Sequence, residues 1–198
     1  IGFWELSQDD GGELVAAANS AFRSSWDNPF RDVAAGAWYE EAVQYVYEAG
    51  LMQGTTGTAF SPHRTTSRGQ IAAILHRLEG SPRAGTPPFT DVAPDSYCAG
   101  AVAWAEEQGI VLGFDDGTFR PDGRITRQQL AAILFRYLEY RGADTAGRAD
   151  LSRFSDSAAV ADYAREALAW AVSAGLVQGR ADGTLDPEGS ATRAQTAV

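Results

Sequence analysis

A handful of short strings recurs in this chain at fixed offsets, three times over, and that repetition constrains the fold more than any other feature. Phe30-Arg-Asp-Val, Phe89-Thr-Asp-Val and Phe154-Ser-Asp-Ser each precede an amphipathic stretch that ends at Gly50, Gly109 or Gly175. Four residues after each of these stands another glycine: Gly54, Gly113 and Gly179. Eight further on is a proline (Pro62, Pro121, Pro187), and six beyond that an arginine (Arg68, Arg127, Arg193). The offsets hold without a gap in all three copies, so the chain is read as tandem copies of one supersecondary unit.

The period is 59 residues between Arg68 and Arg127 and 66 between Arg127 and Arg193. The excess lies in a linker rich in Gly, Ala and Asp around 141–150, plus one residue ahead of the third copy's first helix. The units are placed at 29–84, 85–150 and 151–198, and the third is expected to be C-terminally truncated a few residues into its second helix. Residues 1–28 fall outside the repeat and read as an upstream segment or a packed helix, the helix lying near 13–22.

Each unit reads as helix, loop, helix. The first helix is predicted near 38–49, 98–108 and 162–174, with apolar faces Ala42, Tyr45, Val46, Ala49; Ala101, Trp104, Ala105; and Ala167, Trp170, Ala171. The glycine that closes it is followed at once by Leu51, Ile110 or Leu176, the pattern of a Schellman-type stop. The loop then turns, most clearly at Asp116-Gly117 and Asp182-Gly183. The second helix opens at Ser67-Arg-Gly-Gln70, Thr126-Arg-Gln-Gln129 and Thr192-Arg-Ala-Gln195, each a capping box in which hydroxyl and Gln satisfy one another's backbone N–H. Ile71, Ile74, Leu75 and Leu78 form one apolar stripe and Leu130, Ile133, Leu134 and Leu138 another, with Ala72-Ala73 and Ala131-Ala132 allowing close approach. The fold is therefore expected to be mainly α, with three helix–loop–helix repeats in a pseudo-threefold arrangement around a central three-helix bundle.

Charge narrows the partners. The formal net charge is −10, and all 16 basic residues are Arg. No dense basic stripe exists for nucleic acid, and no polybasic patch for a membrane surface. No apolar run is long enough to insert into a membrane. Ile1 follows no Met or basic, apolar leader, so any export signal is expected to lie outside this sequence. Cys98 is the sole cysteine, which excludes a disulfide framework and a thiolate metal site.

Within this acidic chain the repeated arginine carries the chemistry. Arg68, Arg127 and Arg193 occupy the first helical position, where the helix dipole disfavours a cation by about 0.3–1 kcal/mol. The same unfavourable choice made three times points to a task other than helix stability. Free N–H groups at a helix N-terminus together with a guanidinium fork suit a carboxylate or phosphate. The alternative is an internal ion pair with the repeated Asp32, Asp91 and Asp156, which could equally serve as turn or cap acceptors ahead of the first helix.

The repeated aromatic at Tyr45, Trp104 and Trp170 could stack on a sugar, although helical spacing also suits the core. Asp115-Asp116-Gly117 lacks the alternating carboxylates of a calcium loop and reads as a turn. His63 and His76 occur only in the first unit, without a cluster that would hold a metal. No nucleophile elbow, phosphate-binding glycine loop or zinc motif is present. Glu40-Glu41 and Glu106-Glu107 are adjacent on helices and point apart, unlike a glycosidase pair. No enzyme and no cofactor is expected.

The order Phe-x-Asp-Val, aromatic-rich helix, Gly-Ile or Gly-Leu, Gly, Asp-Gly-Thr-Phe-x-Pro, Ile-Thr-Arg-x-Gln resembles the S-layer homology (SLH) family over about residues 29–198, most closely from Phe89 to Tyr140. The resemblance implies a module whose inter-repeat grooves bind secondary cell-wall polysaccharide, often carrying pyruvylated N-acetylmannosamine. It implies that the motif arginine, here Arg68, Arg127 and Arg193, helps hold the acidic sugar. It further implies an extracellular place at a bacterial cell wall, where the module tethers upstream domains of the same polypeptide. Gln70, Gln129 and Gln195 stand where the family typically has Glu. Ser67 and Gly69 in the first copy, and Ser157 and Leu185 in the third, also depart from its pattern. Asp32, Asp91, Asp156, Trp104 and Trp170 are further candidates for ligand contact. A different class of function, a structural self-assembly module without glycan binding, would bury the three arginines against the three aspartates.

Overall fold

The computed structural model describes residues 26–198, so the helix expected near 13–22 lies outside the described residues. Among those described there are six α-helices and no strand: α1 (Glu40–Glu48), α2 (Arg68–Leu78), α3 (Ala99–Glu107), α4 (Arg127–Tyr140), α5 (Asp162–Ser173) and α6 (Arg193–Ala197). The chain is mainly helical, in pairs set by the repeat.

Local chemistry fixes both ends of these helices. Gly50, Gly109 and Gly175 take φ near +70°, and the two backbone bonds of a Schellman stop form behind each. In the second repeat Ile110 N donates to Ala105 O at 2.8 Å and Gly109 N to Glu106 O at 2.8 Å. At the start of α2 and α4 the capping boxes are complete, with Ser67 and Thr126 accepting from Gln70 N and Gln129 N. Thr192 and Gln195 exchange the same pair of bonds ahead of α6.

The chain divides into two compact units, one reaching Pro62 and the other running from His63 to Thr196. In the first, Phe30 lies edge-on to Tyr47 with ring centroids 4.9 Å apart and tilted against Phe60 at 5.5 Å. The α1 face differs from the expected one: Val43, Gln44 and Val46 are buried, whereas Tyr45 and Ala49 are exposed. With only nine residues in α1, the aromatic at Tyr45 did not mark the inward side.

In the second unit the packing partners are offset from the sequence repeats. Helix α2 of the first repeat packs on α3 of the second, and α4 of the second packs on α5 of the third. Helix α4 serves two cores at once. Ile133 and Tyr137 enter a cluster with Val102, Trp104 and Phe119, while Ala131, Ala132 and Phe135 enter another with Leu168, Trp170 and Leu185. The residue two places before each repeated arginine also joins a closed ring of backbone bonds. Thr66 N donates to Ala191 O at 2.9 Å, Ala191 N to Ile125 O at 3.1 Å, and Ile125 N to Thr66 O at 3.0 Å.

The second repeated glycine is explained by a close approach. A Cβ at Gly113 would stand 2.3 Å from Phe89 Cε1, and the same holds for Gly54 against Phe30 (2.6 Å) and Gly179 against Phe154 (2.4 Å). The phenylalanine that opens each repeat thus lies on bare backbone in the loop of its own repeat.

Candidate functional site

Two of the repeated arginines, both in the second unit, are held alike. Arg68 at the start of α2 reaches the loop of the following repeat, where Nε donates to Phe119 O at 2.8 Å and Nη2 to Leu112 O at 2.9 Å. Arg127 at the start of α4 donates from Nε to Leu185 O at 2.9 Å and from Nη2 to Gln178 O at 2.7 Å. These carbonyls supply the partial negative charge that the helix N-terminus lacks, which is why a cation is tolerated there.

The backbone N–H groups at these helix starts are not free, contrary to expectation. Arg68 N donates to Gly123 O and Gly69 N to Pro121 O; Arg127 N donates to Gly189 O and Gln128 N to Pro187 O. The third N–H of each helix goes to the capping hydroxyl. Any anion bound here would therefore meet the guanidinium rather than the helix terminus.

No ion pair joins Arg68 or Arg127 to the repeated aspartates among the described residues. Each aspartate instead clamps the loop ahead of the second helix. Asp32 accepts from Phe60 N and Ser61 N (both 2.8 Å), Asp91 from Phe119 N (2.8 Å) and Arg120 N (2.7 Å), and Asp156 from Leu185 N and Asp186 N (both 2.7 Å). The expectation that they cap the approach to the first helix is corrected accordingly. Their backbone partners Ser61, Arg120 and Asp186 have φ of 58°, 59° and 52°, and each precedes a proline. That left-handed backbone is strained for non-glycine residues, and the paired acceptors hold it in place. One loop residue is thus gripped from both sides. Phe119 gives its N–H to Asp91 and its carbonyl to Arg68, and Leu185 gives its own to Asp156 and Arg127.

Burial separates the arginines. Arg68 and Arg193 are 6% exposed, whereas Arg127 is half-buried. Burial brings the Arg68 guanidinium down to about 10, with Arg120 and Arg136 pushing the same way and Tyr163 and Asp91 opposing. Arg127 is lowered by burial first and by Arg180 second. At neutral pH both remain cations.

Trp104 and Trp170, candidates for sugar contact, are core residues here. Trp104 is 2% exposed and lies edge-on to Tyr140, and Trp170 lies edge-on to Phe135. Rings so enclosed present no open face to a ligand. Of the repeated aromatics named from the sequence only Tyr45 faces solvent, and three more exposed ones were passed over: Trp38 (65% exposed), Tyr97 (61%) and Tyr163 (54%). They too are a repeated position, twelve residues before Gly50, Gly109 and Gly175, and that fixed offset was the available signal. Tyr97 Oη lies 3.4 Å from Ser67 Oγ, beside Arg68. Tyr163 bonds the side chain of Gln129, and the guanidinium charges that act on it are those of Arg68 and Arg136.

His63 and His76 join no group able to hold a metal among the described residues, where no cluster of three His, Cys, Asp or Glu occurs. No helix among them is long and apolar enough to cross a membrane.

The S-layer homology domain profile matches residues 29–72, 88–131 and 153–197, one segment in each of the three repeats. The chain is 33% identical over 189 residues to the surface-layer 125 kDa protein of Lysinibacillus sphaericus, covering 93% of this chain and 16% of that protein. It is 32% identical over 186 residues to an endoglucanase of Bacillus sp. (strain KSM-635), covering 92% of this chain and 19% of that protein. It is 28% identical over 153 residues to the cellulosome-anchoring protein of Acetivibrio thermocellus, covering 75% of this chain and 34% of that protein. The chain thus spans a minor part of each of these relatives.

Proposed function

We propose, from the premise that this chain belongs to the S-layer homology domain family, that it is a non-catalytic module anchoring a larger exported protein to the bacterial cell surface. Relatives named for surface layers and for cellulosome anchoring support this reading. The endoglucanase is matched over 19% of its length, so its name carries no catalytic claim to this chain.

The ligand is an anionic secondary cell-wall polysaccharide, received in the clefts between repeats. The observation that carries this is the motif guanidinium held at equivalent places by backbone carbonyls of the next repeat, half-buried at Arg127 with the charge of Arg180 beside it. Such a charged fork suits a carboxylate on a sugar ring. The ring of bonds through Thr66, Ile125 and Ala191 supports a pseudo-threefold placement of the second helices around one axis.

A second reading has a specific observation behind it. Nε and Nη2 of both Arg68 and Arg127 are already spent on backbone carbonyls. On that reading the arginines are structural clamps in a self-assembling module without glycan binding.

Calorimetric titration with purified wall polymer, native and depyruvylated, separates the two. On the anchoring reading, binding requires the pyruvyl group. Arg127→Ala, checked for folding, then weakens it by about 1.5–3 kcal/mol, the worth of one charged hydrogen bond. Absence of binding to any wall fraction by the folded module would leave the assembly reading standing.

A further inference from the structure

The Arg68 and Arg127 sites share a backbone scaffold but not a cover. In the Arg68 cleft, Phe114 and Phe119 flank the guanidinium, with Cζ 4.9 Å and 4.6 Å from the ring centroids. Arg120 closes over the outer face of Phe114 at 3.9 Å. Sixty-six residues on, Phe114 is replaced by Arg180 and Phe119 by Leu185, and no ring lies over Arg127 among the described residues. Arg127 keeps the same two carbonyl bonds while its Nη1 carries no hydrogen bond among the described residues.

Formal charge does not distinguish the clefts. The first combines Arg68 and Arg120 with Asp115, Asp116 and Asp122, and the second combines Arg127 and Arg180 with Asp182, Asp186 and Glu188. What differs is access. We infer that the Arg127 cleft is a working anion site, that the Arg68 cleft is closed by Phe114, and that Arg180 is the second guanidinium offered to the ligand's carboxylate. This deepens the anchoring reading above and rests on it.

Arg180 is exposed and among the described residues its side chain bonds Asp186 through Nη2, with Nη1 and Nε turned to no partner there. It stands on the loop whose carbonyls hold Arg127, so one loop positions both cations. The charge of Arg180 acts on the Arg127 guanidinium, which places the two cations near enough to share one carboxylate.

The test titrates the native, pyruvylated wall polymer into the wild-type chain, Arg180→Phe and Arg180→Gln. Folding of the variants is checked by thermal unfolding. Arginine Nε–H signals of the wild type are followed by NMR in parallel. The inference expects both variants to bind at least tenfold more weakly, with the Arg127 signal moving on titration and the Arg68 signal still. Wild-type affinity in both variants, or movement of the Arg68 signal alone, would overturn it while leaving anchoring intact. A wild-type chain that binds no polymer removes the anchoring reading itself.

Discussion

Asp91 shows how much one side chain decides here. Its two oxygens hold Phe119 N and Arg120 N, and Arg120 has a left-handed backbone. Asp91→Ala is expected to cost about 2–3 kcal/mol, since hydrogen bonds to a charged group are worth about 1.5–3 kcal/mol and this pair is partly in water. A lower urea midpoint at unchanged slope is the signature. The equivalent Asp156 gives the pH dependence. The N–H groups of Leu185 and Asp186 hold its carboxyl below the ordinary value, and Thr118 with Arg120 holds Asp116 down at about 2. A carboxyl depressed in the folded state stabilises above its unfolded value, near 3.9, and that contribution is lost as pH falls through the folded value. Thermal unfolding should therefore be nearly flat from pH 7 to 5, then fall between pH 4 and 2. The presence of these residues was legible in the sequence, but not their partners. The aspartates bond N–H groups 28 to 30 residues away, and the arginines bond carbonyls 44 to 58 residues away. Periodicity is silent about such distances, so for Arg68 and Arg127 the ion-pair alternative named the right residues with the wrong contacts.

At the level of helices and loops the sequence was easier to read, because caps and stops are local. All three capping boxes and all three glycine stops stand where spacing put them. The buried side of α1 was misread because Tyr45 and Ala49 fit a 3.6-residue period as well as Val43 and Val46 do. Two glycines separate local from packing effects. Gly113→Ala forces a methyl into the Phe89 ring and should destabilise by about 1–3 kcal/mol, as overpacking does. Gly100→Ala, inside α3 with nothing within 4 Å of the new carbon, should stabilise by about 0.5–1 kcal/mol. Opposite shifts in melting temperature from the same chemical change would verify the close approach. Equal shifts would refute it.

Across the whole molecule, sequence repeat and packing unit do not coincide. Helix α2 leans on α3 and α4 on α5, so a boundary drawn at the linkers separates helices that share a core. Tyr137 and Arg141 reach back to Glu79 at the end of α2, each at 2.6 Å, tying the first repeat to the second. A fragment of residues 85–150 alone leaves Ile71, Leu75, Trp170 and Leu185 absent from the cores that α3 and α4 complete. It should lack a cooperative urea transition, whereas the full chain should show one, in keeping with repeats stabilised by their neighbours. A sharp transition in the fragment would mean that each repeat folds by itself.

The double grip on Phe119 and Leu185 also bears on load. A protein tethered at a cell surface is pulled, and the weakest link decides how long it stays. Were a ligand seated on Arg127, tension would pass through the guanidinium into the carbonyls of Gln178 and Leu185, and from Leu185 through its N–H to Asp156. Force would enter the main chain of the next repeat at two points rather than bending one flexible side chain. Such a joint fails by shearing several short bonds together, so its lifetime under tension would exceed what its equilibrium affinity suggests.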